Sequence, residues 1–320
     1  MSKGADERAT MRMAVIGVGY LGRHHARILA GLDGVELVGV IDRDRRRAEE
    51  VGAAVGVPAI DLSDLEGVDA VTVVVPTEAH HEVAVPLLER GISALVEKPL
   101  ARTLDEADAI INAAARSGAT LAVGHTERHN PAVVAAVPHL RDPGFVEIHR
   151  LGTFPERSLD IDVVFDLMIH DLDVLLSTIE GEVEVIDAVG VPVLTGRVDI
   201  ANARLRFGSG CIANVTASRI SRERVRKVRF FQRSAYISID YAAQEVERWT
   251  LSPAGGRPGI AGGKLEIAKD EPLKLELEDF AQAVRQRTPP RVTGADGRRA
   301  LALAQRITDV IDHAQPGARP

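Results

Sequence analysis

Residues 11–42 constrain this chain more than any other stretch. Met11–Gly17 is a short apolar run of strand formers, and GVGYLG begins at its end, with Gly17, Gly19 and Gly22 enclosing Tyr20 and Leu21. HHARILAGL then reads as a helix that stops by Gly31–Gly34, and VELVGVID as a second strand that ends on Asp42. In such a βαβ unit the first glycine allows a tight turn. The second lets the backbone approach a pyrophosphate, and the third lets helix and strand pack closely. The helix N-terminus offers N–H groups and the positive end of its dipole to that pyrophosphate. Asp42 falls 20 residues after Gly22, at the strand end, where a carboxylate can accept both ribose hydroxyls. A bare GxGxxG is a weak sign and can be a glycine turn without a ligand. In this setting it predicts a dinucleotide site formed by Gly17, Gly19, Tyr20, Leu21, Gly22 and Asp42. Asp42 would repel a 2′-phosphate, which favours NAD over NADP. Arg43, Arg45, Arg46 and Arg47 follow, and either hold a phosphate or form the solvated start of the next helix.

The pattern continues as strands and helices in alternation. Residues 44–56 read as a helix and 58–61 as a short strand. Val68–Val75 is a near-continuous apolar run that fits a strand buried on both faces. A loop and helix lead to a strand at Ile92–Glu97, a helix at Leu104–Ser117 and a strand at 119–124. This predicts a doubly wound parallel sheet. Such sheets bind ligands beyond the carboxyl ends of their strands. Pro76, Thr77 and His80 stand at one such end, where they would contact a cofactor, unless Thr77 simply caps a helix. Glu97 and Lys98 stand at the next, and Pro99 holds Lys98 in an extended or turn geometry. His24–His25 and His80–His81 are neighbours on helices and point about 100° apart, so neither pair chelates one metal.

The character changes after Gly124. The polar connector GHTERHNP leads to a helix from Pro131, a strand at Gly144–Leu151 and the loop GTFPERSLDID. The next helix, Val164–Ile179, carries Phe165, Met168, Leu172, Leu175 and Ile179 as one apolar stripe. Asp166, His170 and Asp173 form a polar stripe opposite, at i, i+4 and i+7. Leu167, Ile169 and Val174 flank it, so the helix is apolar nearly all round and reads as buried. A polar stripe on a buried helix points to acid–base work in a cleft. A structural His–Asp network, a divalent metal site and a solvated face are the alternatives. From Glu182 onward successive strand patterns predict a mainly antiparallel sheet with one face on the helices and one open to an oligomer interface. The most basic stretch, SRISRERVRKVRFFQR, reads as strands and a turn, with a patch for an anionic substrate or partner as the lesser reading. SPAGGRPGIAGGK, 252–264, reads as a loop, and helices at about 273–287 and 295–313 close the chain.

At 320 residues the chain is long enough for two domains, read here as a leader at 1–10, a first domain at 11–125 and a second at 126–320. A net charge of −7 argues against general nucleic-acid binding. Cys211 is the one cysteine, which excludes an internal disulfide or a multi-cysteine metal site, and it reads as a core thiol. No run of about 18 apolar residues and no signal core is present, so a cytoplasmic protein is expected.

AVIGVGYLGRHHARIL, VVPTEAHHEVA, EKPLA and DLMIHDLD stand in the order and spacing of one family. The chain resembles the glucose–fructose oxidoreductase / inositol dehydrogenase / MocA family over nearly its whole length. The resemblance implies an N-terminal Rossmann domain and a C-terminal α/β domain whose large, mainly antiparallel sheet serves oligomerisation, as a homodimer or homotetramer. It implies NAD-dependent oxidation of a sugar hydroxyl, with Lys98, His170 and Asp166 catalytic and Asp173 touching substrate. It does not decide whether Lys98 or His170 takes the proton. ERHNP and GTFPERSLDIDVVFDLMIHDLD are similar to the nucleotide-sugar branch, the UDP-N-acetylglucosamine 3-dehydrogenases. That branch makes 3-keto sugars for a partner aminotransferase, toward 3-amino sugars of lipid A or surface polysaccharide. Arg128 and Arg157 are then candidates for the diphosphate, or else surface residues. A free polyol dehydrogenase and an NAD-dependent glycosidase of similar fold are the competing readings, and a non-enzymatic NAD-binding regulator ranks last.

Overall fold

The computed structural model describes residues 10–154, 161–254 and 257–314. β1 (Met11–Ile16), α1 (Gly22–Leu29), β2 (Val35–Ile41), α2 (Arg45–Val55), β3 (Ala70–Val73), α3 (His80–Glu89), β4 (Ser93–Glu97), α4 (Leu104–Ser117) and β5 (Leu121–Gly124) alternate along the first part of the chain. The five strands form one parallel sheet in the order β2-β1-β3-β4-β5. Every residue of β3 and β4 is buried, which is why they read as almost unbroken apolar runs. Helix starts follow cap chemistry: the Asp44 side chain accepts from the Arg47 N–H at α2, and Thr103 from the Glu106 N–H at α4. The strand expected at 58–61 shrinks to a single bridge between Val40 and Ala59.

The later elements are α5 (Pro131–Ala136), β6 (Phe145–Leu151), a helix that opens with a π turn at Val164–Met168 and continues as α6 (Ile169–Thr178), and then β7 (Val183–Val191), β8 (Ile200–Phe207), β9 (Ile212–Ser218), β10 (Val225–Phe231), β11 (Ala235–Asp240), β12 (Glu245–Ala254), β13 (Arg257–Lys264), α7 (Pro272–Gln286) and α8 (Gly294–Ala314). Eight strands form a second sheet in the order β13-β12-β11-β10-β6-β9-β8-β7, antiparallel except between β6 and β9. Its inward residues, among them Ile148, Leu205, Val215 and Phe230, pack against Met168, Leu172 and Leu175 and against Leu303 and Ile307 of α8.

Two expectations change. Of residues 252–264, read as a loop, 252–254 instead end β12 and 257–264 form β13, paired from Glu247–Lys264 outward. The second domain is also not continuous. One compact unit runs to Gly124 and takes in Leu273–Ala295, and the other holds His125–Pro272 and the chain from Asp296. Leu273, Leu277, Phe280 and Ala281 of α7 share a core with Met13, Val15, Leu29 and Val40. The apolar stripe of α7 therefore finds its partner in the parallel-sheet unit, and 126–320 is interrupted there.

Candidate active site

In the first unit the site is built at the carboxyl ends of β1, β2, β3 and β4. Gly17 takes φ +87°, the left-handed region, and a Cβ there would lie 2.5 Å from the Val74 carbonyl oxygen. A Cβ on Gly22 would overlap the Gly17 carbonyl oxygen, so α1 sits hard against the turn. At Gly19 a Cβ would meet nothing within 4 Å, so the backbone there borders open space. Asp42 follows β2, and its carboxylate accepts from the Val18 N–H at 2.9 Å and the Asp44 N–H at 2.9 Å. These two backbone donors and Arg47 Nη1, 3.3 and 3.4 Å from the two oxygens, fix the carboxylate at the strand end. A tight left-handed turn, an open glycine and an acidic strand end are what a dinucleotide pyrophosphate and ribose require, so these residues fit NAD. Tyr20 and Leu21 are exposed beside the turn, and the Tyr20 ring stands edge-on to His24 at 5.7 Å between centroids.

The arginines after Asp42 are mostly engaged. Arg45 pairs with Glu49 and Asp61, Arg46 with Glu50, and Arg47 with Asp42 and Asp44. Arg43 is exposed and makes no ion pair among the described residues. The helix-start reading accounts for the other three.

Beyond β3, Pro76 is exposed and Thr77 half-buried. Thr77 does not cap α3, which starts at His80 after Ala79 with no side-chain cap. His80 departs from expectation. It is buried, with Nε2 3.0 Å from the Val75 carbonyl and Nδ1 3.0 Å from the Pro99 carbonyl. Each nitrogen faces a backbone carbonyl, and a neutral ring donates to only one of the two sides, so His80 stands between the β3 end and the β4 end. Burial, outweighing those hydrogen bonds, lowers its pKa.

Glu97 also turns inward. Its Oε2 accepts from the Lys98 N–H at 3.1 Å, and its Oε1 lies 3.3 Å from Nε2 of His25, which is fully buried on α1. Gly124 makes room, since a Cβ there would come within 2.9 Å of the carboxylate. Burial pushes the Glu97 carboxyl up, but the His25 hydrogen bond and the His25 and Lys98 charges overcome it, and the pKa ends below the usual range. Lys98 follows directly, its peptide to Pro99 cis. The lysine thus leaves a strand end pinned by two buried imidazoles, neither of which the sequence reading had given this part.

In the second unit the site is built on the helix opened by Val164–Met168. The pattern predicted a regular α-helix. Instead Phe165 and Asp166 N–H groups both bond the Asp162 carbonyl, and the Ile169 N–H reaches back to the Val164 carbonyl. This wider turn breaks the even i, i+4 register assumed between Asp166 and His170, both of which are half-buried. The ring of His125, buried on the connector, stands perpendicular to that of His170 with centroids 6.3 Å apart. Asp173 is 2% exposed and lies 3.4 Å from Nη1 of Arg128. Arg128 is therefore engaged with the candidate substrate residue. Arg157 lies outside the described residues.

Sequence reasoning missed Arg150 and Asp171. Arg150 sits on β6 at an inward position after Val146 and Ile148, and there it holds Asp171 with two bonds of 2.6 and 2.9 Å and Glu127 with one of 3.0 Å. The available signal was a charge on the apolar face of an alternating strand. Cys211 is buried, and burial pushes its thiol up to about 11. Among the described residues no group of three or more His, Cys, Asp or Glu side chains is placed to hold a metal, and no helix is long and apolar enough to cross a membrane.

Burial pushes the Asp173 carboxyl up to about 7, against the pull of Arg128. A folded-state pKa above the unfolded one destabilises the fold as pH rises, because the unfolded chain ionises first. Urea unfolding should therefore show wild type losing about 1–3 kcal/mol relative to Asp173→Asn between about pH 4 and 8, with no further change above. Parallel curves for the two proteins across that window would show that Asp173 titrates normally.

Comparison with known proteins agrees with this architecture. Residues 11–125 match the family described as oxidoreductase family, NAD-binding Rossmann fold, and residues 142–237 match the GFO/IDH/MocA C-terminal domain. A UDP-N-acetylglucosamine 3-dehydrogenase of Acidithiobacillus ferrooxidans is 39% identical, covering 94% of this chain and 97% of its own. A solved structure of that enzyme matches with a TM-score of 0.89 at 38% identity, over 95% of this chain and 98% of the other. The NAD-dependent scyllo-inositol 2-dehydrogenase of Bacillus subtilis is 27% identical over 96% of this chain and 95% of its own. A probable dehydrogenase from Thermotoga maritima matches with a TM-score of 0.81 at 25% identity, over 95% of this chain and 98% of that one. With both of its domains matched and a relative alike along its whole length, the chain belongs to the Gfo/Idh/MocA family of NAD-binding oxidoreductases.

Proposed function

We propose that the chain oxidises a hydroxyl of a nucleotide sugar to a ketone, the 3-hydroxyl of UDP-N-acetylglucosamine being the first choice. The reading is carried by full-length likeness to an enzyme named for that reaction. NAD, when bound, supplies the hydride acceptor. The open backbone at Gly19 and the Asp42 carboxylate bind the cofactor. His170 takes the hydroxyl proton as general base. Lys98 donates a hydrogen bond to the reacting oxygen as negative charge develops there, and it is the base itself if its ammonium is deprotonated. Asp166 orients these groups, and Asp173 with Arg128 holds the sugar. The enzyme would act in the cytoplasm and hand a 3-keto product to an aminotransferase. Val185, Val189 and Val191 on β7 and Trp249 and Leu251 on β12 leave apolar side chains exposed, which supports association of copies through the large sheet.

The test is NADH formation at 340 nm with purified protein, NAD and UDP-N-acetylglucosamine, with a carbonyl trap to pull the equilibrium. Formation of NADH is expected. If NAD binds but no NADH forms, the substrate assignment fails. Activity on free inositols would then favour the polyol reading, which the scyllo-inositol relative supports. Release of a leaving group without NADH would favour the glycosidase.

A further inference from the structure

The most basic stretch of this acidic chain contributes β10, and its first inward residue is Arg226. The register fixes this. Arg226 pairs with Arg150, Val228 with Ile148 and Phe230 with Val146. Val228, Phe230, Ile148 and Val146 all point into the core, so strand alternation places Arg226 on the same face as Arg150. On the other side the Tyr241 N–H bonds the Arg226 carbonyl. A row of Ala217, Arg150, Arg226 and Tyr241 therefore crosses the inner face of the sheet.

Side chains directly opposed in an antiparallel pair have Cβ atoms about 4.5–5.5 Å apart, and like charges there repel. Here two guanidinium groups are opposed, and their surroundings differ. Arg150 is met by Asp171, by Glu127 and by the face of the Tyr241 ring at 5.1 Å. Arg226 makes no ion pair or side-chain hydrogen bond among the described residues, and it keeps an exposed surface. Arg224, two residues earlier, is exposed too, and bonds the Thr153 hydroxyl at 3.4 Å. Partial burial and then the charge of Arg150 depress the Arg226 pKa, against the pull of Glu127 and Asp171.

The row is tied to the candidate site. Arg150 holds Asp171, the residue after His170, and Glu127, the residue before Arg128. We propose that Arg226 and Arg224 form an anion subsite of the second unit that takes the diphosphate of a nucleoside-diphosphate sugar. Two planar guanidinium forks suit bidentate contact with phosphate oxygens, and a bound anion would relieve the opposed pair of cations. This rests on the nucleotide-sugar reading and gives it a location that the sequence reading had not chosen.

The test is calorimetric titration of UDP into protein saturated with NADH, so that UDP cannot occupy the cofactor site. Wild type should bind. Arg226→Gln should weaken UDP at least tenfold and Arg224→Ala/Arg226→Gln at least a hundredfold. Arg226→Lys, which keeps the charge and loses the fork, should fall between. NADH affinity by fluorescence titration and the Tm should stay within twofold and within about 2 °C of wild type. Unchanged UDP affinity in the double variant would overturn the subsite and leave the nucleotide-sugar reading intact. No UDP binding by wild type that binds NADH would overturn both. If the double variant does not fold, Arg226→Lys decides: tighter or equal UDP binding sinks the proposal.

Discussion

Lys98→Ala and His170→Ala should each lower kcat by about 10²- to 10⁴-fold, the usual worth of a positioned proton-transfer group, while NADH affinity stays within threefold. The two residues are assigned to one event, the loss of a hydroxyl proton, and neither is needed to shape the cofactor turn. Lys98 engages Glu97 through its backbone N–H, which alanine retains. His170 belongs to the other compact unit. If both act on one proton, the double variant should cost far less than the product of the single effects, because a broken relay is broken only once. NADH appearance at 340 nm gives the rates and a fluorescence titration gives the cofactor affinity. Normal turnover in either single variant removes that residue from the reaction. A kcat loss matched by lost NADH binding would make Lys98 a cofactor residue instead.

Local chemistry was the legible part of this molecule. The glycine turn, the strand end at Asp42 and the buried runs of β3 and β4 depend on residues close in sequence, and each appears where the pattern places it. The antiparallel sheet was legible for the same reason, since strict alternation along β8 states which face is inside. Distance along the chain set the limit. Nothing in α7 says that its apolar stripe belongs with β1 rather than with the sheet just before it. Gly/Pro-rich 252–264 carries turn composition, yet β11 offers β12 an edge to pair with, and β12 then offers one to β13. Glu97 ends β4 and His80 opens α3, and neither side chain's partner could be read from its own stretch. Their partners, His25 in one case and the Pro99 carbonyl in the other, are set by tertiary packing.

Arg150→Leu should destabilise the second unit by about 3–5 kcal/mol, the cost of leaving a buried charge without its partner. Asp171 is fully buried, and it receives two of the guanidinium's three carboxylate bonds. Burial pushes the Asp171 carboxyl up and Arg150 pulls it down. The balance already leaves the carboxyl above its ordinary value, and without Arg150 it rises further, so Asp171 should take up a proton in the folded variant. Its folded pKa then stands further above the unfolded value, and the penalty must shrink as the pH falls toward that of an ordinary carboxyl. Trp249, the one tryptophan, lies on β12 in this unit, so its fluorescence in urea reads the right transition. Arg150→Met combined with Asp171→Leu should recover most of the loss, because an apolar pair of similar volume carries no desolvation penalty. A loss under 1 kcal/mol in Arg150→Leu would mean that water reaches Asp171. A full loss that the double variant does not recover would mean that stacking of the Arg150 guanidinium on the Tyr241 ring, rather than its pairing with Asp171, holds this part of the unit together.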